Sequence, residues 1–494
     1  MRSRETRRES HRYRGAHLGL FTVGLYAGAF GPALPFIAAA TGVGLGQAGL
    51  LLSALFVGSI TASGAVAAVI HARDPRLTAG VGLALVACGL LAIGTADRFA
   101  VGLAGAAALG FGDGFVVAAT HQAMATGSRP VDTAVNRLNL WFAIGAVVGP
   151  LWAGAILSAG GDLRLVYAGI AAVACAAGAL ILASGSAGDP ADGARHGEQA
   201  AAPEGRPMVV LMGALLFVYV GAEFGLGAWV SSYAERVAGA GVMEGAAVTA
   251  GYWGALALGR VASDMAFARG VRPLRLLAIV SAGSLVASGA LLAFGGVLVL
   301  GGLAAFATGF AFGPVWPSAL AVAARGAPAG TAAVMVTAGN AGGVAIPWLQ
   351  GRILADAGPR QGVALSVVLC GLMAVLAAIS ERRSAGGRFG VASELPRRQA
   401  ARVRKHGMGV LTRGVRPHAK RPPAHRRSPI APPLRPFVPA GLEPGEYLAT
   451  LEAGAQVVAV QASDEVDAYP LRAGDLAFAV VRARAEELFH RVDH

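Results

Sequence analysis

Apolar residues fill this chain in long blocks, and polar residues gather in the short breaks between them. A helix needs about 20 apolar residues to cross a bilayer. Blocks of that kind begin near Ala16, Gln47, Leu77, Phe99, Ala134, Leu163, Met208, Ala246, Leu274, Val297, Thr331 and Val363. The breaks carry turn and charge signals, among them His71 to Pro75, Ser128 to Pro130 and Arg269 to Pro273. The pattern predicts an all-α membrane protein with twelve transmembrane helices.

The second six blocks echo the first. Tyr26-Ala27-Gly28 returns as Tyr219-Val220-Gly221, and Gly110-Phe111 as Gly309-Phe310. Gly145–Gly154 returns as Gly342–Gly351, with Pro150 and Pro347 at matching places. Two pseudo-symmetric six-helix halves running in the same sense predict a carrier with a solute site between them.

Composition agrees and narrows the choice. Hydrophobic residues make up 55% of the 494 and charged ones 14%, against about 25% charged in soluble domains. The net charge of +13 is no argument for nucleic acid. Between Arg382 and Arg435 lie fifteen Lys or Arg and a single acid, Glu394, so the excess belongs to a tail. That tail suits anionic lipid. Cys88, Cys175 and Cys370 are scattered through apolar blocks, without disulfide or metal spacing, and are expected to be small core residues.

These readings divide the chain into a basic N-terminal arm (1–15), a six-helix half (16–184), a linker (185–206) and a second half (207–381). A basic, Pro-rich tail expected to be disordered (382–436) and a small α/β or β-rich module (437–494) follow. In the module, Val457–Val460 reads as strand, Pro470–Asp475 as a turn and Ala485–Val492 as a short helix. Arginines concentrate in the arm, at Arg73, Arg76, Arg129 and Arg137, and in the cluster Arg260–Arg275; the alternate loops hold few. This bias predicts cytoplasmic termini in an inner or plasma membrane.

Ionisable residues inside spanning helices are costly and mark function. Asp113 in the fourth block and Glu223 in the seventh qualify, with Thr120 and His121 two turns beyond the first and Tyr219 one turn before the second. A carboxylate held away from water can exchange a proton, which is the requirement for proton coupling. The alternative for each is a packing group that hydrogen-bonds neighbouring helices. Asn136, Asn139 and Asn340 can donate and accept toward a solute. Trp229, Trp316 and Trp348 could stack on a ring or anchor at the interface. Gly259, Arg260, Asp264 and Arg269 form a cluster where an Arg260–Asp264 pair is available one turn apart. It reads as a gating latch or as a topogenic charge cluster.

The same residues resemble the major facilitator superfamily over roughly 16–380, and within it the fucose-permease-like, sugar-transporter branch. Tyr219 to Glu223 with Trp229 and Tyr233 is similar to that branch's seventh helix, and Tyr252 to Gly254 with Leu258 to Arg260 to its eighth. Gly309–Pro314 with Pro317, Gly342–Pro347 with Gly351 and Asp356, and Asn139–Phe142 with Gly145–Pro150 resemble its tenth, eleventh and fifth. The fourth helix departs: the branch's acid and Asn positions read Val117 and His121, and Asp113 stands one turn early. No acid occurs in Tyr26–Pro35, and the motif between the second and third helices is degenerate at His71–Pro75. Pro470–Asp475 is similar to regulatory ligand-binding domains attached to potassium transporters.

The resemblance implies a secondary active transporter that works by alternating access, as a monomer without cofactors, on a small polar solute of sugar type, with a proton as coupling ion. Proton-driven efflux and a transport-dead sensor with a signalling tail remain open. No nucleophile–base set, nucleotide loop or metal cluster suggests an enzyme.

Overall fold

Each apolar block folds as helix, because a bilayer offers backbone N–H and C=O groups no partner outside the segment itself. A computed structural model describes residues 2–69, 74–125, 131–184, 206–323, 331–406, 466–467 and 480–481. The first half comprises α1 (Arg2–Thr41), α2 (Leu45–Ala48), α3 (Leu50–Val69), α4 (Pro75–Gly94), α5 (Phe99–Ala125), α6 (Val131–Ser158) and α7 (Leu163–Leu182). The second comprises α8 (Arg206–Val237), α9 (Val242–Ala268), α10 (Pro273–Phe294), α11 (Leu298–Phe312), α12 (Val315–Ala323), α13 (Thr331–Asp356) and α14 (Pro359–His406). Among the described residues, ten stretches are long and apolar enough to span a membrane. The long helices α9 and α13 fall outside that set; they carry Glu244, Arg260 and Asp264, and Gln350, Arg352 and Asp356. Outward positions such as Val286, Val210 and Val299 are 73%, 70% and 69% exposed, a surface suited to lipid.

Two blocks break within themselves. Gly49 separates α2 from α3, where a side chain would strike the Trp229 ring and the Trp348 backbone. Gly313 and Pro314 separate α11 from α12, since proline removes a backbone donor.

Glycine sets the spacing inside each half. A Cβ on Gly145 of α6 would meet the Phe21 carbonyl oxygen of α1, and one on Gly342 of α13 the Phe217 oxygen of α8. Gly110 of α5 lies against the Leu55 oxygen of α3, and Gly309 of α11 against the Tyr252 oxygen of α9. Backbones approach this closely where small residues line the crossing. These contacts fix the true register of the repeat. They align Phe21 with Phe217, so Tyr26 stands opposite Ala222, one turn away from the Tyr26–Tyr219 match expected from sequence.

The halves meet through α1 with α8 and α9, α2 and α3 with α13, and α6 with α9. Ser53 Oγ donates to the Val344 carbonyl at 2.6 Å, and Asn340 Nδ2 to Ser59 Oγ at 3.5 Å. The Phe56 ring sits on Gly343 and meets Phe224 edge-on at 4.9 Å. Gly46 faces Arg352, and Gly154 faces Ala246. Along their helices Gly46, Ser53 and Gly154 lie toward the rim where Gly42 and Gly160 turn with left-handed φ of 67° and 81°. At the other rim Gly270, φ 79°, turns α9 toward α10.

α14 runs on to His406, into the basic stretch expected to be disordered; Ala, Arg, Gln and Glu there favour helix. The cysteine expectation changes. Cys88 and Cys175 are exposed, on outward faces where apolar side chains meet lipid rather than core, while Cys370 is buried. The chain divides into units Met1–Lys405 and His406–His494. In the second, β1 (Val466–Asp467) pairs antiparallel with β2 (Val480–Val481), Val466 opposite Val481. Pro470–Asp475 and Ala485–Val492 lie outside the described residues.

Candidate substrate and coupling site

In the second half the site forms where α8 crosses α9. Glu223 and Tyr219, one turn apart on α8, are both buried. The Tyr252 hydroxyl of α9 donates to the Glu223 carbonyl at 2.8 Å, which ties the two helices at this level. Two turns along α9 from Trp253, Arg260 brings a guanidinium nitrogen to 3.5 Å from Glu223 Oε1. The carboxylate side chain is 5% exposed and the guanidinium side chain 31%. A buried carboxylate without compensation is costly, and Arg260 supplies the opposite charge.

Rings surround the pair. Phe312 lies edge-on to Tyr219 at 5.8 Å and to Tyr252 at 6.4 Å, and Phe224 meets Trp253 at 5.6 Å. Phe142 of α6, from the other half, lies 5.9 Å from the Arg260 guanidinium carbon, within cation–π range. The Tyr219 hydroxyl and Trp253 Nε1 are buried without a hydrogen bond. Two unused polar atoms beside an ion pair make this a place where a solute can complete the bonding.

The first half places its carboxylate differently. Asp113 of α5 accepts from the Tyr26 hydroxyl of α1 at 2.6 Å. Thr120 Oγ1 donates to the Val116 carbonyl and His121 Nδ1 contacts the Val117 carbonyl at 2.7 Å, so both lean on their own helix. Asn340 reaches Ser59 across the halves, as described above. Asn139 is exposed; Asn136 is in α6, with its side chain outside the described residues.

The tryptophans divide by surroundings. Trp229 is fully buried, donates to the Pro347 carbonyl at 2.8 Å and packs on Gly49 and Gly351, which makes it a peg between helices. Trp316 is half-buried beside Gly339, and Trp348 is 37% exposed.

The available Arg260–Asp264 pair is not the one formed in this structure. Arg260 turns inward to Glu223 rather than to Asp264, which is exposed. The two-helix crossing puts a buried carboxylate nearer than the residue one turn away. Arg269 donates to the Met265 carbonyl of its own helix. Gly259 is a packing contact, its face closed by the Phe310 backbone. Tyr26, Tyr252, Phe142 and Phe56 join the site without having been singled out for it. Arg260 carried a readable signal: it lies well inside a helix, where a charge is costly. No cluster of His, Cys, Asp or Glu that could hold a metal occurs among the described residues.

The model of the Major Facilitator Superfamily matches residues 16–347. No curated protein sequence matches the chain. Among solved structures, a bacterial homologue of the human lysosomal transporter Spinster, inward-facing and unoccupied, aligns with a TM-score of 0.62 at 16% identity. It covers 76% of this chain and 97% of that one. The peptide transporter POT in complex with sulfate aligns at 0.61 and 15% identity, over 76% and 94%. FucP, a transporter of the same superfamily in the outward conformation, aligns at 0.52 and 17% identity, over 74% and 98%. At these identities the likeness is one of fold.

Proposed function

The chain belongs to the Major Facilitator Superfamily, and from that premise we propose that it is a proton-coupled secondary transporter of a small polar solute, sugar-like in kind. All twelve long helical blocks cross the membrane, and the two halves rock about the site between them. The carrying observation is the Glu223–Arg260 pair, its carboxylate buried and its guanidinium beside Phe142 of the other half, with the contacts of Ser53, Phe56 and Gly343 sealing one side. The arginine bias supports placing the sealed rim outside and the Gly270 rim, with both chain ends, in the cytoplasm. The pose is then an inward-open carrier, functional as a monomer and not an enzyme.

Glu223 is the proton-binding group and Arg260 its partner; Asp113 with Tyr26 is a second polar station in the other half. The helix motifs that resemble the fucose-permease-like branch support the sugar-like assignment. The test is uptake into proteoliposomes under an imposed proton gradient. Glu223→Gln is expected to reach the membrane in normal amount and lose gradient-driven accumulation. Undiminished accumulation in that variant would remove Glu223 from the coupling.

A further inference from the structure

Arg260 and Glu223 are unequal partners. The guanidinium side chain reaches solvent and the carboxylate does not, with exposures of 31% and 5%. Their contact is a single one at 3.5 Å, not the two-point fork that guanidinium and carboxylate form at full strength. Arginine carries five N–H donors, and the single contact with Glu223 leaves most of them for another partner. A solute entering from the open side therefore meets a cation with donors to spare. Two further donors stand near: the Tyr219 hydroxyl, within electrostatic reach of both charges, and the Trp253 N–H on the same face of α9.

We propose that the transported solute carries a carboxylate, and that this group displaces Glu223 from Arg260 on binding. The inference rests on the carrier reading above and narrows its substrate class to polar organic acids, of which sugar acids match the sugar-like expectation. The exchange balances: the solute carboxylate takes the guanidinium donors, and Glu223, left without a counter-charge in a buried place, takes one proton from water. One anion and one proton enter together, so the site's net charge is the same before and after. Around Glu223 the titratable and charged groups are Tyr219 on its own helix, Tyr252 and Arg260 on α9, and Cys370 of α14 beyond Tyr252. Arg260 is the cation among them, so the solute and Glu223 compete for one charge.

The experiment uses the purified full-length protein, with D-gluconate and D-glucuronate as carboxylate probes and D-glucose as neutral counterpart. Thermal stabilisation is titrated at several pH values. The carboxylates are expected to stabilise the protein and glucose much less, with tighter binding as the pH falls. Glu223→Gln removes the internal competitor and is expected to tighten carboxylate binding about tenfold and to flatten its pH dependence. Arg260→Gln is expected to weaken it by about tenfold or more. Because that variant leaves Glu223 unpaired and its folding in doubt, the double variant E223Q/R260Q is measured beside it; it is expected to fold and not to bind. Wild-type-like carboxylate binding in the double variant overturns the inference. So does stabilisation by no carboxylate, and glucose binding in that case would leave the carrier reading standing without this substrate class.

Discussion

The two halves share their backbone contacts and differ in where they keep charge. Gly145 on Phe21 and Gly110 on Leu55 in one half are answered by Gly342 on Phe217 and Gly309 on Tyr252 in the other. In that register Arg260 stands where the first half has Ser63, Glu223 where it has Ala27, and Phe312 where it has Asp113. One half therefore pairs a buried acid with a cation, and the other pairs its acid with a phenol. Packing tolerates repetition, since two halves that rock on each other need similar shapes. Chemistry does not need it, since one solute in one pocket touches the two walls differently. On the function proposed above, the difference assigns the coupling mainly to the second half.

The comparison can be broken first at the shared packing. Gly145→Leu and Gly342→Leu each force a side chain into a backbone oxygen. Each is expected to cost about 3 kcal/mol or more and to abolish the monodisperse peak on detergent size exclusion. Tolerance of one alone would show that the halves are not packed alike. Next comes the charge. Arg260→Gln is expected to destabilise by about 2 kcal/mol, less than for a fully buried pair because Arg260 reaches water. Adding Glu223→Gln should restore most of it in thermal unfolding; a double variant as unstable as the single would deny that the two are coupled. In the other half Tyr26→Phe removes one hydrogen bond to Asp113 and should cost about 1 kcal/mol, with solute binding kept. A larger loss of transport there than at Arg260 would invert the assignment between halves.

The smallest effect sharpens the comparison at the loops. Asp74 caps α4 ahead of Pro75, accepting from the Arg76 amide, whereas the matching cap of α10 is Arg272, ahead of Pro273, with no side-chain cap bond. Asp74→Ala should cost about 1 kcal/mol and Arg272→Asp should gain about half that. Partial burial raises the Asp74 carboxyl, but hydrogen bonds and charge from Arg76 outweigh it and hold the group below 3.8. The cap's contribution is therefore full above that value and is lost as pH falls through the lowered one. An Asp74→Ala protein whose acid unfolding midpoint matched the parent's would deny the cap any such role.

Much of the fold was legible because the bilayer imposes one rule on every block: apolar length means helix. The predicted starts near Phe99, Leu163 and Thr331 are those of α5, α7 and α13. The glycine repeats were legible because close crossings admit little else. The Tyr26–Tyr219 register slipped because the match one turn out lays Gly28 on Gly221, whereas the register set by the crossings puts Gly28 opposite Phe224. The site was half legible. Glu223 and Asp113 stand out as lone acids in apolar runs, but their partners lie on other helices. Sequence spacing shows only neighbours on the same helix, which is why Arg260 was set beside Asp264 rather than Glu223.

The four crossings in which a glycine lies on a carbonyl oxygen, at Gly110, Gly145, Gly309 and Gly342, each stitch helices within a half. It follows that each half holds its own shape without the peptide that joins them. Cut within 185–205 and co-expressed as two polypeptides, the pieces should find each other in the membrane and work as the intact carrier does.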